Sequence, residues 1–326
     1  MRQLVSNFSN QLREALTIGE SAELKSHSKN FKNVLITGLG GSGIGGTIIS
    51  ELITDRVAIP VLINKDYHIP NFVNEDTLVI ASSFSGNTEE TLNAFEIAKN
   101  KGAELSCISS GGALLDIAKE QSLNYIKLPK GKSPRAMLSY SLTQLFVLFE
   151  HYGLIDNFYI KEINDTIALI EREEENIIAE ADKITEMIHD KIPIIYATQG
   201  FEGMAIRFRQ QINENAKMLC WHHIIPEMNH NELVGWTEKN ESLAVLFFRN
   251  ESDFNKNQQR IEITKTVVSK YTPHSIDIWS KGNTAIQNTL YFIHLCDWVS
   301  VLLSDKRNVD PIEVRVIDYL KGELAK

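Results

Sequence analysis

Cysteine is nearly absent from this 326-residue chain: Cys107, Cys220 and Cys296 are odd in number and scattered, with no Cys-x-x-Cys pair and no Cys/His ligand spacing. This excludes a disulfide-stapled secreted scaffold and a zinc ribbon, and it points to idle thiols in a reducing compartment. Proline is scarce too, with 8 in the whole chain, and no Gly/Ser/Pro-rich or low-complexity stretch offers a flexible linker. Basic charge is in deficit. Thirty-three Lys plus Arg against 42 Asp plus Glu leave a net charge of −9, which argues against a general nucleic-acid binder and against a polybasic membrane-surface protein. No apolar run approaches the roughly 18 to 20 residues of a membrane span. The opening MRQLVSNFSNQLREAL mixes apolar with charged and amide side chains, unlike a signal peptide. The expected location is the cytoplasm.

What remains is an ordinary globular composition, 43% hydrophobic and 23% charged, at a length that suggests two domains of about 150 residues each. NVLITGLG (33 to 40) is a β-branched run ending in glycines, the pattern of a buried parallel strand entering a βα loop, with a helix expected from about Gly43. PVLINK (60 to 65), TLVIASS (77 to 83), LSCISS (105 to 110) and NYIKLP (124 to 129) read as further strands. TEETLNAFEIAKNKG (88 to 102) reads as a helix stopped by glycine, and RAMLSYSLTQLFVLFEHY (135 to 152) as an apolar helix. Residues 158 to 190 carry isoleucine and alanine at three- and four-residue spacings among charges, which predicts one long amphipathic helix. The strand and helix pattern then restarts: IPIIYATQG (192 to 200), a helix over 202 to 218, LAVLFFR (243 to 249), HSIDIWS (274 to 280) and a mostly helical end. The fold class read from this alternation is α/β, two doubly wound parallel-sheet domains, each an α-β-α sandwich, joined by a long helix. The boundaries are 1–155, a linking helix over 156–191, and 192–326.

Residues 38, 40 and 43 form a literal G-x-G-x-x-G between a strand and a helix, so a dinucleotide site is the first hypothesis. That fingerprint also needs an acidic residue about 20 positions on. Here the second strand ends at Asn64-Lys65-Asp66, with a lysine beside the only candidate carboxylate. The broader meaning of the glycines is close backbone approach and free N–H groups at a helix N-terminus, which favour an anion.

The third strand decides between these readings. In Ser82-Ser83-Phe84-Ser85-Gly86-Asn87-Thr88-Glu89-Glu90-Thr91 the hydroxyls of Ser83, Ser85 and Thr88 share one turn at a helix start, which suits a phosphate monoester. The plain alternative is a capping box, with Ser85 or Thr88 at the N-cap. Two adjacent loops rich in glycine and hydroxyl weigh toward the phosphate, because ligands bind at the carboxyl ends of such strands.

At these residues the chain resembles the sugar isomerase (SIS) domain family, and within it the bifunctional phosphoglucose/phosphomannose isomerases. The segments that carry the resemblance are GLGGSGIGG (38 to 46), DYHIP (66 to 70), SSFSGNTEET (82 to 91), PRAML (134 to 138), QINENAK (211 to 217), PEMNHNELVGW (226 to 236) and DPIEVRVIDYLK (310 to 321). The resemblance implies two SIS domains and a homodimer with active sites near the subunit interface. It also implies a small-molecule sugar phosphate as substrate, and no metal, cofactor or nucleotide. The implied reaction interconverts glucose or mannose 6-phosphate with fructose 6-phosphate. Residue by residue it implies phosphate binding by Gly41, Ser42, Ser83, Ser85 and Thr88, and Glu214 as catalytic base. His230 and Lys321 take the place of the ring-opening residues, and Arg135 that of the positive charge near the enediolate. The chain departs from the family pattern at Ile312, where members place a threonine linked with acceptance of mannose. The phosphoglucose activity is therefore the safer half of the expectation.

The chemistry asks for these residue types. One base must take the C2 proton and return it to C1, and a carboxylate does so when apolar surroundings raise its pKa. Glu214 follows the apolar stripe Met204, Ala205, Phe208 and Ile212. A fixed cation, Arg135, beside the enediolate favours the transition state over the ground state, and a histidine suits the proton shuttle that opens the sugar ring. His222, His223, Glu227, His230 and Glu232 cluster within eleven residues, but without HExxH or another helical ligand spacing, and adjacent strand histidines face opposite ways, so metal is not the preferred reading. Two other readings compete with the isomerase. A non-catalytic SIS sensor would need no base, and a nicotinamide-dependent oxidoreductase rests on the glycines alone.

Overall fold

The computed structural model of the chain describes residues 1–131, 133–324 and 326. Its backbone forms two compact units: an N-terminal one of Ser6–Glu171 with Asn283–Gln287, and a C-terminal one of Met1–Val5, Arg172–Gly282 and Asn288–Lys326.

Two helices lead the chain, α1 (Arg2–Ser6) and α2 (Phe8–Glu20). There follow β1 (Asn33–Thr37), α3 (Gly40–Leu52), β2 (Val61–Asn64), β3 (Thr77–Ser82), α4 (Glu89–Asn100), β4 (Glu104–Ser109), α5 (Gly112–Glu120), β5 (Asn124–Lys127) and α6 (Leu138–His151). The five strands lie parallel in the order β2-β1-β3-β4-β5. Both faces are covered, which is why the strands read as continuous apolar runs: all six residues of β3 are buried. Leu35, Val79 and Cys107 pack with Phe95 of α4 and Leu114 of α5 on one face. On the other, α3 approaches so closely that a Cβ on Gly46 would lie 3.0 Å from Ile36 Cγ2. Helix α2 runs along α6, where buried Ser139 Oγ donates to Gln11 Oε1 at 2.7 Å and Gln144 Nε2 to the Ala15 carbonyl at 2.8 Å.

Helix α7 (Phe158–Ile188) is unbroken over 31 residues, its first part in the N-terminal unit and the remainder in the C-terminal one. Beyond it come β6 (Ile192–Thr198), α8 (Glu202–Ala216), β7 (Trp221–Ile225), β8 (Leu243–Arg249), α9 (Asn255–Val268), β9 (Ser275–Trp279), α10 (Ala285–Lys306) and α11 (Arg315–Leu324). These strands are also parallel, ordered β7-β6-β8-β9. Alternate residues of each strand serve opposite layers. Tyr196, Val245 and Phe247 pack with Ile261 and Val268 of α9 and with Met228 and Trp236 from the loop after β7. On the reverse face Phe248 stacks with Phe208 of α8 at 6.0 Å and with Phe292 of α10 at 4.7 Å. The chain therefore has the α/β class predicted from its sequence, two parallel sheets with a long helix between them.

Several elements differ from the sequence reading. Helix α3 begins at Gly40, three residues before Gly43, because its glycines, poor helix formers by themselves, are held by close packing. Arg135 is not part of α6: Pro134–Ala136 form a 3-10 turn, Met137 breaks the helical path, and α6 starts at Leu138. Lys132 of the Gly-Lys-Ser-Pro-Arg turn lies outside the described residues. Helices α1, α2, α5 and α9 and strand β7 are additional to those predicted. Among the described residues no helix is long and apolar enough to cross a membrane.

Candidate active site

In the N-terminal unit the loops after β1 and β3 meet at the carboxyl ends of the strands. Gly38 must lack a side chain, since a Cβ there would fall 2.5 Å from the Ser82 carbonyl oxygen. One on Gly43 would fall 2.2 Å from that of Gly38. The tight turn lets Ser42 Oγ accept the Phe84 N–H at 3.0 Å, which ties the glycine turn to the hydroxyl loop. Ser83 is buried, accepts the Gly86 N–H at 3.1 Å and pairs with Thr88 Oγ1 at 2.9 Å. Ser85 is exposed and accepts the Asn87 N–H at 3.3 Å. Gly86 is held at φ 71°, where a Cβ would fall 1.8 Å from the Gly111 carbonyl oxygen, and Asn87 Oδ1 accepts the Ala113 N–H at 2.9 Å. The loops after β3 and β4 thus brace each other.

Thr88 occupies the N-cap position of α4 with extended backbone, yet its side chain makes no capping hydrogen bond. The capping box allowed by the sequence is not formed; the Thr88 hydroxyl is engaged with Ser83 instead. Glycine at position 41 brings a second element into the turn, because a Cβ on it would contact the Arg135 Cα at 3.5 Å. Arg135 itself is 9% exposed, so it is not a surface arginine satisfied by water. The structure therefore brings together Gly41, Ser42, Ser83, Ser85, Thr88 and Arg135. Asp66, the carboxylate a dinucleotide site would need, is exposed and accepts the Tyr67 N–H of its own loop at 2.6 Å.

In the C-terminal unit Glu214 lies in the last turn of α8, half-buried. The predicted stripe Met204, Ala205, Phe208 and Ile212 is buried. The same helix carries a polar ladder that the sequence reading missed. Arg207 Nη2 donates to both Asp297 oxygens of α10, at 2.8 and 2.6 Å; Gln211 Nε2 donates to Asp297 Oδ1 at 2.7 Å; and Asn215 Nδ2 donates to Ser300 Oγ at 2.9 Å. Glu214 and Lys217 line a groove of about 480 Å³ together with Met218, Glu313, Val314 and Ile317.

His230 ends a 3-10 turn, Glu227–His230, and is exposed. That turn belongs to the face that carries α9: Met228 is in the Tyr196 and Phe247 cluster, and Asn229 Nδ2 donates to Thr264 Oγ1 at 2.9 Å. Glu214 rides on α8, which covers the reverse face. Lys321 is exposed in the last turn of α11, a helix with no buried residue. His222 and His223 alternate along β7 as strand neighbours must. Burial, helped by Arg209 and His223, pushes the His222 pKa down to about 4. Among the described residues no group of three or more His, Cys, Asp or Glu is placed to hold a metal ion.

Residues 177–324 match the family described as the bacterial phospho-glucose isomerase C-terminal SIS domain. A bifunctional phosphoglucose/phosphomannose isomerase of Caldicellulosiruptor bescii is 38% identical over 100% of this chain and 99% of that protein. Another, from Aquifex aeolicus, is 35% identical over 91% of each chain. Among solved structures, the C-terminal domain of glucosamine-fructose-6-phosphate aminotransferase from Francisella tularensis gives a TM-score of 0.76 at 15% identity, covering 95% of this chain and 97% of that one. At that identity the likeness speaks for the fold alone, whereas the two relatives match along nearly their whole length. The chain belongs to the bifunctional phosphoglucose/phosphomannose isomerase family.

Proposed function

We propose that this protein interconverts glucose 6-phosphate, and with it mannose 6-phosphate, with fructose 6-phosphate through an enediol. Family membership supports the reaction, and one feature of the N-terminal unit carries the substrate class. Thr88 stands at the start of α4 without capping it, its hydroxyl paired with that of Ser83, in a loop that also carries the exposed Ser85. An uncapped helix start with hydroxyl donors suits the dianion of a phosphate monoester. In this reading Gly41, Ser42, Ser83, Ser85 and Thr88 hold the phosphate. His230, assisted by Lys321, moves a proton from O1 to O5 and opens the ring. Glu214 takes the C2 proton and delivers it to C1, while Arg135 stabilises the negative charge that develops on the C1 and C2 oxygens. One substrate carbon is oxidised as its neighbour is reduced, so no external oxidant or reductant is required.

The working enzyme in this proposal is a homodimer with its active sites near the subunit interface. Two observations support it. Glu214 and the turn of His230 belong to opposite faces of one sheet, so Glu214 of one copy works with the partner's His230. Val316, Leu320 and Leu324, four residues apart on α11, are 81%, 57% and 68% exposed, an apolar stripe for a second copy to cover. A cytoplasmic location fits the three free thiols, with burial pushing those of Cys107 and Cys220 up to about 12.

A coupled assay on chelator-treated protein, following fructose 6-phosphate formation from each aldose phosphate separately, tests the proposal. Turnover of both supports the bifunctional reaction. A preference for glucose 6-phosphate that weakens in Ile312→Thr assigns epimer choice to position 312. Retained sugar phosphate binding with no turnover supports the sensor instead.

A further inference from the structure

Helix α8 ends in an unusual way. Lys217, the residue after its last turn, is held at φ 56° and ψ 41°, the left-handed conformation that helix ends normally give to glycine. Its side chain supplies the compensation. The ammonium donates to the Glu214 carbonyl oxygen at 2.5 Å and to the Glu313 carbonyl oxygen at 2.6 Å. The first acceptor is one of the carbonyls that a helix end leaves without an intrahelical partner, and a cation is favoured there. The second lies in the connection between α10 and α11. Neighbouring bonds tighten the same turn: Arg307 Nε donates to the Ala216 carbonyl at 3.0 Å and Asn213 Nδ2 to that of Met218 at 2.7 Å. The groove lined by Glu214 opens directly beside this clamp.

We propose that Lys217 is a positioning residue for the isomerase reaction. Its ammonium is a strut between the backbone of Glu214 and that of Glu313, which sets where the carboxylate stands and ties it to the segment that carries Ile312 and Lys321. The inference rests on the reading of Glu214 as the base. Lys217 carries no proton in the reaction; it acts through the Glu214 backbone. Proton transfer is steep in distance, and a misplacement of about 1 Å costs on the order of a hundredfold in rate.

The informative variant is Lys217→Gly, which keeps the left-handed turn and removes only the strut. The expected result is a loss of about tenfold to a hundredfold in kcat with KM within about twofold of wild type. The thermal midpoint stays unchanged, and amide hydrogen exchange over residues 310–324 quickens. Lys217→Arg, which still presents a cation to both carbonyls, regains most of the kcat. Wild-type kcat in Lys217→Gly overturns the proposal. So does a loss that tracks a fall in thermal midpoint and is not rescued by arginine, which marks a structural role only. Glu214→Gln is assayed alongside. Retained turnover there removes the base, and the positioning role with it, whereas the exchange measurement still reads the strut by itself.

Discussion

Glu214 and His230 are carried on opposite faces of the same parallel sheet. Helix α8 holds the glutamate and stacks Phe208 on Phe248, while the His230 turn packs with α9 against Tyr196 and Phe247. In the proposed reading, Glu214 therefore works with the His230 of a second copy.

This relationship predicts complementation. Glu214→Gln and His230→Ala are each expected to abolish most turnover as pure proteins. In the proposed homodimer, co-expression gives mixed dimers in which one site carries both substitutions and the other carries neither. Random pairing in a two-fold dimer restores about a quarter of wild-type activity. If the two residues act within one copy, every site of the mixed dimer is defective and the mixture stays inactive. Differently tagged copies purified in tandem isolate the mixed dimer itself, and for that fraction the expectation is about half of wild-type activity.

The two loop serines should separate binding from folding. Ser83 is buried and engaged with Gly86 and Thr88, so Ser83→Ala is expected to lose about 1–2 kcal/mol of stability as well as raise KM. Ser85 is exposed, and Ser85→Ala is expected to raise KM with stability within about 0.5 kcal/mol of wild type. Urea unfolding beside steady-state kinetics distinguishes the two. An unchanged KM in Ser85→Ala moves the phosphate away from this loop.

Why these loops were legible in the sequence and other parts were not has a physical reason. Strand β3 is buried on both faces, so its apolar run and the small, hydroxyl-bearing residues that end it stand out from their surroundings. Strand β7 is five residues at a sheet edge with two histidines, and it carries little periodic signal. Helix α9, NKNQQRIEITKTVV, buries only Ile261, Thr264 and Val268, and α5 starts in glycine, so neither shows a clear apolar stripe at its start. The pairing of Arg207 with Asp297 joins positions 90 apart, and the faces assigned to Glu214 and His230 depend on the sheet order. Spacing along the chain encodes neither. Lys217 stood inside the QINENAK segment, but only its left-handed backbone and its reach to Glu313 mark it.

Acid should act on the C-terminal unit through His222. Its Nδ1 is buried without a hydrogen-bond partner, and burial holds its pKa down to about 4, against about 6.5 in an unfolded chain. Between those values the unfolded chain holds a proton that the folded chain does not. Stability is therefore intact above about pH 6.5 and falls as the pH drops toward 4. His222→Gln removes that proton difference. The expected result is a smaller drop in thermal midpoint between pH 7.5 and pH 5 for the variant than for wild type. Equal drops assign the acid sensitivity to other groups.

The buried pair of Arg207 and Asp297 offers the sharpest test of how α8 is held. Their side chains are 3% and 6% exposed and meet at 2.6 Å, and Gln211 donates to the same carboxylate. Removing one partner leaves an uncompensated charge where water cannot reach it. Arg207→Met and Asp297→Leu are each expected to cost about 3–5 kcal/mol. The double variant removes both charges and refills the space with apolar volume, so its loss should be well below the sum of the two. Chemical denaturation of the four proteins measures the coupling. A double variant whose loss equals the sum shows that the two side chains contribute independently, with no coupling between the charges.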